Sequence, residues 1–379
     1  MSFVSRLDDF QRRHPVLGFP LGVTYKFFDD QGGYLAALIT YYAFVSLFPL
    51  LLVFTTVLGI LLEHHEKLKD QIVDSALNQI PVIGEQLSDP AGLSGGTIAV
   101  IIGLVGAIYG GLGVSVASQN AMNAAWDVPR NSRPNPVKVR VRGAVLLVTV
   151  GLSMIGLVAI NVTAAAIELR GLSDLFTRLG ALILSLGVFV FGFRFGTARP
   201  LTVRQVLPGA LLAAVGWQLL QHFGGIYVEH VINRTEKING VFAVVLGLIA
   251  FLYLASVLAV IAMEVNSVLA YKLYPRSLLT IFTDNVHLTE GDERAYRLLA
   301  QAQRQKGFED ITVTFDNPLD RQDSDGGGDS GEDGGGEGET ETESDEMVVD
   351  GEATPEPTAD EAVAAPRRGA PSLHEPENR

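Results

Sequence analysis

Six long apolar runs constrain the fold of this chain more than any other feature of its sequence. A helix needs about 20 apolar residues to cross the hydrocarbon core of a bilayer. Only 18% of the residues are charged, against about 25% in soluble proteins. The sequence therefore predicts an all-α, polytopic membrane bundle of six transmembrane helices. The runs lie near residues 35–62, 95–119, 143–168, 179–197, 206–228 and 241–270.

The distribution of lysine and arginine between the runs predicts the orientation of the bundle. Four basic residues precede the first run, the loop at 63–94 has two against six acids, and the loop at 120–142 has five. Cytoplasmic loops carry the excess of Lys and Arg in membrane proteins. An even number of spans then places both termini in the cytoplasm, in a multi-pass protein of the plasma membrane.

The chain outside the spans divides by composition. Residues 1–33 predict an amphipathic cytoplasmic segment before a membrane domain at 34–275. Residues 276–316 predict a short helix, with Thr289 as its N-cap, and a strand at "ITVTF". Residues 317–379 hold 19 acidic residues and four arginines, and this composition predicts a disordered acidic tail.

Polar residues in the first run share one helical face. Tyr42, Ser46 and Pro49 follow at intervals of four and three residues. Proline removes a backbone donor and clashes with the carbonyl four residues earlier, here that of Val45, so a kink is expected. A freed carbonyl in a bilayer must face protein or a water-lined cavity. The alternative is that Ser46 and Pro49 only bend the helix for packing.

A polar cavity open to the cytoplasm is the functional site that the spans predict. Glu264 lies about two turns from the cytoplasmic end of the last run, and an intramembrane carboxylate is a functional candidate. Alternatively it pairs structurally with Arg142 or Arg194, at similar depth. The predicted cavity and substrate path comprises Tyr42, Ser46, Pro49, Asn120, Asn123, Gln218 and Glu264.

Glycines in the second run form a separate pattern. They recur at intervals of three and four residues, which predicts a small-residue face where another helix backbone approaches closely. A pore lining is the alternative. These predicted packing residues are Gly103, Gly106, Gly110 and Gly113.

Several function classes find no support in the sequence. The chain contains no cysteine, its seven histidines form no cluster with the spacing of metal ligands, and nucleotide-binding and hydrolase motifs are missing. The acidic tail would repel nucleic acid. We therefore expect no enzyme activity, no cofactor, no metal and no nucleic-acid partner. The expected partners are the lipid bilayer and a lipid or lipid-linked substrate, and the pattern does not determine the oligomeric state.

Four segments resemble the YihY/virulence factor BrkB family of six-span membrane proteins. They are "AALITYYAFVSLFPLLL", "QNAMNAAWDV", "GWQLLQHFGGIYV" and "NGVFAVVLGLIAFLYLASVLAVIAMEVN", within residues 25–275. The chain departs from the family pattern at Ala262-Met263, where Gly-Ala is common before the Glu, and at Phe251, where Trp is common. The first departure puts a close helix contact at 262–263 in question.

The resemblance implies a function in membrane transport, since members are suggested to move lipids or lipid-linked molecules. A membrane scaffold or envelope-integrity protein is the alternative. A ribonuclease, the older label of the family, is a remote one that these residues do not support. The acidic tail also resembles those of salt-adapted archaea.

Overall fold

The computed structural model describes residues 8, 10–13, 15–61, 97–166, 173–227, 237–278, 280 and 286–315. All of them belong to the compact unit Met1–Gly327. The predicted disordered tail at 317–379 lies outside the described residues, which end at 315. The described part is helical. Its helices are α1 (Pro15–Asp29), α2 (Gly32–Leu61), α3 (Thr97–Ala125), α4 (Pro136–Ala166), α5 (Ser173–Gly196), α6 (Val203–Tyr227), α7 (Lys237–Tyr271) and α8 (Glu290–Ala302).

Each of the six apolar runs corresponds to one helix, from α2 to α7. Four of these helices contain a stretch long and apolar enough to cross a membrane, and α2 contains a shorter apolar stretch, Gly32–Leu47. The four long stretches are Pro136–Leu157, Thr177–Gly196, Val203–Gly224 and Val245–Tyr271. The helical fold is confirmed, and four membrane spans are supported by length and composition.

The cytoplasmic segment after the last span is only partly as predicted. Thr289 is the N-cap of α8, and its side chain and that of Asp292 form a capping box. The predicted strand is wrong, because residues 311–315 form neither helix nor strand. An alternating sequence forms a strand only when a neighbouring strand accepts its backbone hydrogen bonds, and the described residues contain no such strand.

Helices α2 and α3 make the most extensive helix contact in the described part of the chain. α2 continues through Pro49, and its polar face lies directly on the glycine face of α3. A Cβ added to Gly110 would lie 2.7 Å from the Cα of Ser46, and one added to Gly106 would lie 3.0 Å from Cγ of Pro49. Tyr42 occupies the same position against Gly113. Only glycine permits this approach.

Helices α6 and α7 also approach closely, at a glycine of α6. A Cβ on Gly209 would clash with the carbonyl oxygen of Ala262, and the backbone N–H of Gly209 donates to Oδ1 of Asn266 at 2.7 Å. The close contact that the departure at Ala262-Met263 puts in question is therefore present. Gly209 supplies the space from the opposite helix.

A buried arginine fixes α8 to the rest of the unit. The side chain of Arg276 is fully buried, and it donates to Asp292 of α8 at 2.5 Å and to Asp29 at the end of α1 at 3.1 Å. Its guanidinium group also lies over the rings of Tyr25 and Tyr296, at 5.4 and 5.2 Å. Charge-assisted hydrogen bonds of this kind are among the strongest in proteins. α1, α7 and α8 therefore meet at one end of the bundle.

A Gly110→Ala substitution is expected to destabilise the bundle by about 1–3 kcal/mol, because the new methyl group must displace Ser46. The loss is measured as a lower melting temperature of the detergent-solubilised protein. Gly187→Ala is the matched control, since a Cβ there meets no atom within 4 Å. Equal melting temperatures for the two variants would show that the α2–α3 contact is looser than described.

Candidate functional site

A buried lysine lies at the centre of the candidate site. The ammonium nitrogen of Lys26 lies 2.6 Å from Oδ2 of Asp30 and 3.0 Å from Oδ1 of Asp127. All three side chains are only 2% exposed. Lysine and aspartate are rarely buried to this degree unless they are paired. The ion pairs therefore form a closed electrostatic contact rather than a surface bridge.

Three separate segments bring these charges together. Lys26 lies near the end of α1 and Asp30 in the turn before α2, four residues later. Asp127 follows α3 in a left-handed conformation with φ of 46°, which aspartate tolerates better than most residues. The N–H of Val128 donates to the carbonyl of Asn123 at 2.9 Å and closes this turn. The turn holds the carboxylate of Asp127 against Lys26.

The fourth member of the cluster comes from the long apolar helix α7. Glu264 is fully buried, and it lies within electrostatic reach of Lys26, Asp30 and Asp127. Neither of its carboxyl oxygens accepts a hydrogen bond from a donor group of the described residues, but its carboxyl group lies within hydrogen-bond reach of that of Asp30, so one proton can join the two groups. We name Lys26, Asp30, Asp127 and Glu264 the buried charge cluster.

The buried charge cluster contains three carboxyl groups and one ammonium group. Burial raises the pKa of Asp127 to about 6, against the opposing attraction of Lys26. Burial also raises the pKa of Asp30, where Lys26 again opposes it. Burial by itself lowers the pKa of Lys26, but the surrounding carboxylates raise it above its ordinary value. Lysine therefore stays charged while the cluster favours uptake of a proton by a carboxylate.

The predicted cavity residues are distributed over several environments. Tyr42, Ser46 and Pro49 lie in the α2–α3 contact, against Gly113, Gly110 and Gly106, while Gly103 of the same row is buried. Whether they line a substrate path stays a prediction.

The remaining predicted residues lie apart from that contact. Asn120 is exposed, whereas Asn123 is buried and its Oδ1 accepts the N–H of Ala198 at 2.8 Å. Gln218 lines a groove of about 630 Å³ between α5 and α6, together with Arg178 and His222. Of the predicted set, the structure places only Glu264 in the buried charge cluster, and Asn123 supports the turn that carries Asp127.

The alternative partners predicted for Glu264 are wrong. Arg194 on α5 donates from Nε to the carbonyl of Leu201 at 2.8 Å, and the guanidinium of Arg142 on α4 lies over the ring of Phe195. In the described part of the chain neither forms an ion pair with Glu264. The similar depth expected from the sequence did not bring them together, because α7 packs mainly on α1, α2, α3 and α6.

Sequence reasoning missed Lys26, Asp30 and Asp127. All three lie just outside apolar runs, where charged residues normally face water. One signal was present: Lys26 and Asp30 are separated by four residues within the aromatic stretch "TYKFFDD", so a helix brings them together beside apolar side chains. Asp127 directly follows the segment "QNAMNAAW" but gives no sign of its partner.

Comparison with known protein families identifies the family of this chain. The family model described as virulence factor BrkB matches residues 23–280, more than half of the chain. This chain belongs to the BrkB family. The matched region of the BrkB family extends from α1 to the residues just beyond α7, so it includes every member of the buried charge cluster. With four helices able to cross a bilayer, this BrkB family member is a multi-pass membrane protein.

Two curated relatives are similar over most of their length. Inner membrane protein YhjD of Escherichia coli is 24% identical over 290 residues, covering 70% of this chain and 85% of the relative. YfkH of Bacillus subtilis, named as a ribonuclease-like protein, is 24% identical over 257 residues, covering 63% of this chain and 90% of the relative. No solved structure matches the chain. The predicted family resemblance is confirmed.

A Lys26→Met substitution is expected to destabilise the protein by about 3–5 kcal/mol, because it leaves three buried carboxyl groups without a cation. The measurement is chemical or thermal unfolding in detergent. The control is Glu290→Gln, which removes a 90% exposed partner of Arg294 on α8 and should change stability by less than about 1 kcal/mol. Similar losses in both variants would contradict a dominant role of Lys26.

An Asp127→Asn variant is expected to lose part of the pH dependence of stability. The pKa of Asp127 is about 6 in the folded protein, above the ordinary 3.8. Between these values the folded state binds a proton that the unfolded state has released, so this group stabilises the protein below pH 4 and the effect is lost as the pH rises through 6. From pH 7 to 5, the wild type should gain about 1 kcal/mol more stability than the variant. The unfolding midpoints of wild type and variant at pH 7 and pH 5 measure this difference. Equal changes in the midpoint of the two proteins would contradict the prediction.

Proposed function

We propose that this BrkB family member is a transporter or lipid flippase of the plasma or inner membrane, acting on a lipid or lipid-linked molecule. The observation that carries the proposal is Glu264, a fully buried carboxyl in α7 that meets the carboxyl of Asp30 and accepts no hydrogen bond from a donor group of the described residues. Carboxyl groups are expensive inside a membrane domain and mark paths for ions, protons or substrates. The substrate class comes from the family resemblance.

The buried charge cluster would act through the charge of Glu264. With every carboxyl group ionised, the four side chains carry an excess of two negative charges in a closed site, and uptake of protons removes this excess. A change in protonation alters the attraction that Lys26 exerts on Asp127, and thus the contact between α1 and the end of α3. The cluster is therefore proposed to couple proton binding to a rearrangement of the helices around the substrate path.

The proposed topology has six spans and two cytoplasmic termini. Basic segments meet at one end of the unit, as the N–H of Asn131 after α3 donates to the carbonyl of Arg304 after α8 at 3.1 Å. The ion pair between Arg276 and Asp29 links α1 to the same end. Gathering of basic residues at one end supports its placement in the cytoplasm.

A structural role in the envelope is the second candidate. The observation that favours it is the closed α2–α3 contact, in which Tyr42, Ser46 and Pro49 touch glycines of α3 instead of an open space. In this scheme the acidic tail recruits partners and the membrane domain is an anchor. Ribonuclease activity remains remote, since the tail would repel RNA.

Translocation measured in reconstituted vesicles tests the proposal. Wild-type protein should move a fluorescent phospholipid between leaflets, detected by quenching from the outside. Glu264→Gln keeps the side-chain shape and removes the titratable group, and it should slow the movement about tenfold or more, which corresponds to about 1.4 kcal/mol in the barrier. Glu290→Gln, an exposed glutamate on α8, should match the wild type.

Two results of this experiment would contradict transport. One is movement no faster than in protein-free vesicles, and the other is equal movement by wild type and Glu264→Gln. Truncation after Asp316 separates the two candidates, because a transporter keeps its rate without the tail. An envelope scaffold would instead lose its function in cells and show no translocation in either form.

A further inference from the structure

A basic pocket lies at the start of α4, formed by residues that the buried charge cluster does not include. Its volume is about 360 Å³, and it opens between the loop after α3, the first turns of α4 and the loop after α5. Three cationic side chains line it, and none of the lining residues is acidic. The lining residues are Ser132, Arg133, Pro134, Asn135, Lys138, Arg142 and Ala198.

Arg133 in this pocket is held in place without being neutralised. The Nε of Arg133 donates to the carbonyl of Val128 at 3.1 Å, a contact that orients the guanidinium but supplies no negative charge. Burial, followed by repulsion from Arg130, lowers the pKa of Arg133. Asp30 is the acid within electrostatic reach of Arg133, and it is already paired with Lys26. The pocket thus keeps a strong positive potential.

Arg142 gives this pocket a hydrogen-bond donor that no described residue uses. Its guanidinium lies over the ring of Phe195 at 5.9 Å, and its Nη1 is buried without a hydrogen-bond partner among the described residues. A buried charged donor without an acceptor is costly, so such groups normally have a partner. An arginine fork is matched in shape by phosphate oxygens.

The surface next to the pocket indicates the source of the anion. α4 carries an exposed apolar stripe that begins at the pocket and runs along the membrane-spanning stretch. Valines at intervals of four, four and three residues form it, each at least 40% exposed: Val137, Val141, Val145 and Val148. A ligand with a phosphate head and acyl chains would contact both features at once, whereas a soluble phosphate would contact only the pocket.

We propose that the pocket of Arg133, Lys138 and Arg142 binds the phosphate of an anionic lipid headgroup in the cytoplasmic leaflet. Basic pockets between helices on the cytoplasmic side are known sites for such headgroups. The phosphate lies between the three cations, and the acyl chains follow the valine stripe of α4. The site does not depend on transport, because a lipid held there stabilises the junction of α3, α4 and α5 whatever passes through the protein.

Native mass spectrometry of the detergent-solubilised full-length protein tests this site. Wild-type protein, titrated with phosphatidylglycerol or phosphatidylcholine, should bind the anionic lipid at least about tenfold more tightly. Lys138→Gln should weaken phosphatidylglycerol binding about fivefold, since one cation near the membrane contributes about 1 kcal/mol. Lys138→Gln/Arg142→Gln should weaken it further. Lys138 is exposed, so the single variant is expected to fold normally.

Arg140→Gln is the matched control. It removes the same charge from the same helix, but Arg140 does not line the pocket, so binding should stay within about twofold of the wild type. Equal loss in Arg140→Gln and Lys138→Gln would overturn the proposal, because diffuse surface charge would then explain the binding. Equal binding of the two lipids would overturn it as well. Inorganic phosphate that displaces the lipid at matched concentration would refute the lipid headgroup as the ligand.

Discussion

The buried ion pairs of Lys26 with Asp30 and Asp127 are the interaction on which the contact between α1, α3 and α7 depends. Lys26 pairs with Asp30 and Asp127 in a buried site, and it attracts the carboxyl group of Glu264. Without this positive charge, the burial of three carboxyl groups from separate segments would be unfavourable. The contact between α1, the end of α3 and the segment of α7 around Glu264 therefore depends on one buried ion.

Different interactions hold the helices together along their apolar stretches and at the polar end of the bundle. Along the apolar stretches, helices gain little from hydrophobic burial against one another, because lipid is as apolar as their side chains, and contact depends on close packing. Gly110 against Ser46 and Gly209 against Ala262 provide such contacts. At the polar end, buried ions replace small residues: Lys26 in the buried charge cluster and Arg276 between α1 and α8. The proposed function rests on Glu264, which lies on the apolar helix α7 and belongs to the buried charge cluster.

The features that the sequence predicted correctly are those that depend on residues within one continuous segment. The runs that became α2 to α7 were found because a membrane helix must satisfy its own backbone hydrogen bonds, so its signal is contained in one continuous segment. The cap at Thr289 was found for the same local reason. The strand at 311–315 was wrong, and the partners proposed for Glu264 were wrong, because pairing between distant segments leaves no trace in the spacing of one segment.

The sequence by itself determined the helices, the small-residue face of α3, the polar face of α2 and the presence of a carboxyl group, Glu264, within the last apolar run. Tertiary structure alone decided that the face of α3 and the face of α2 touch each other. It also decided that Glu264 lies beside Lys26, Asp30 and Asp127 rather than beside Arg142 or Arg194. The physical reason is the distance along the chain over which each effect acts. Periodicity and hydropathy act within one helix, whereas the energy of a buried charge depends on which charges the other helices bring to it.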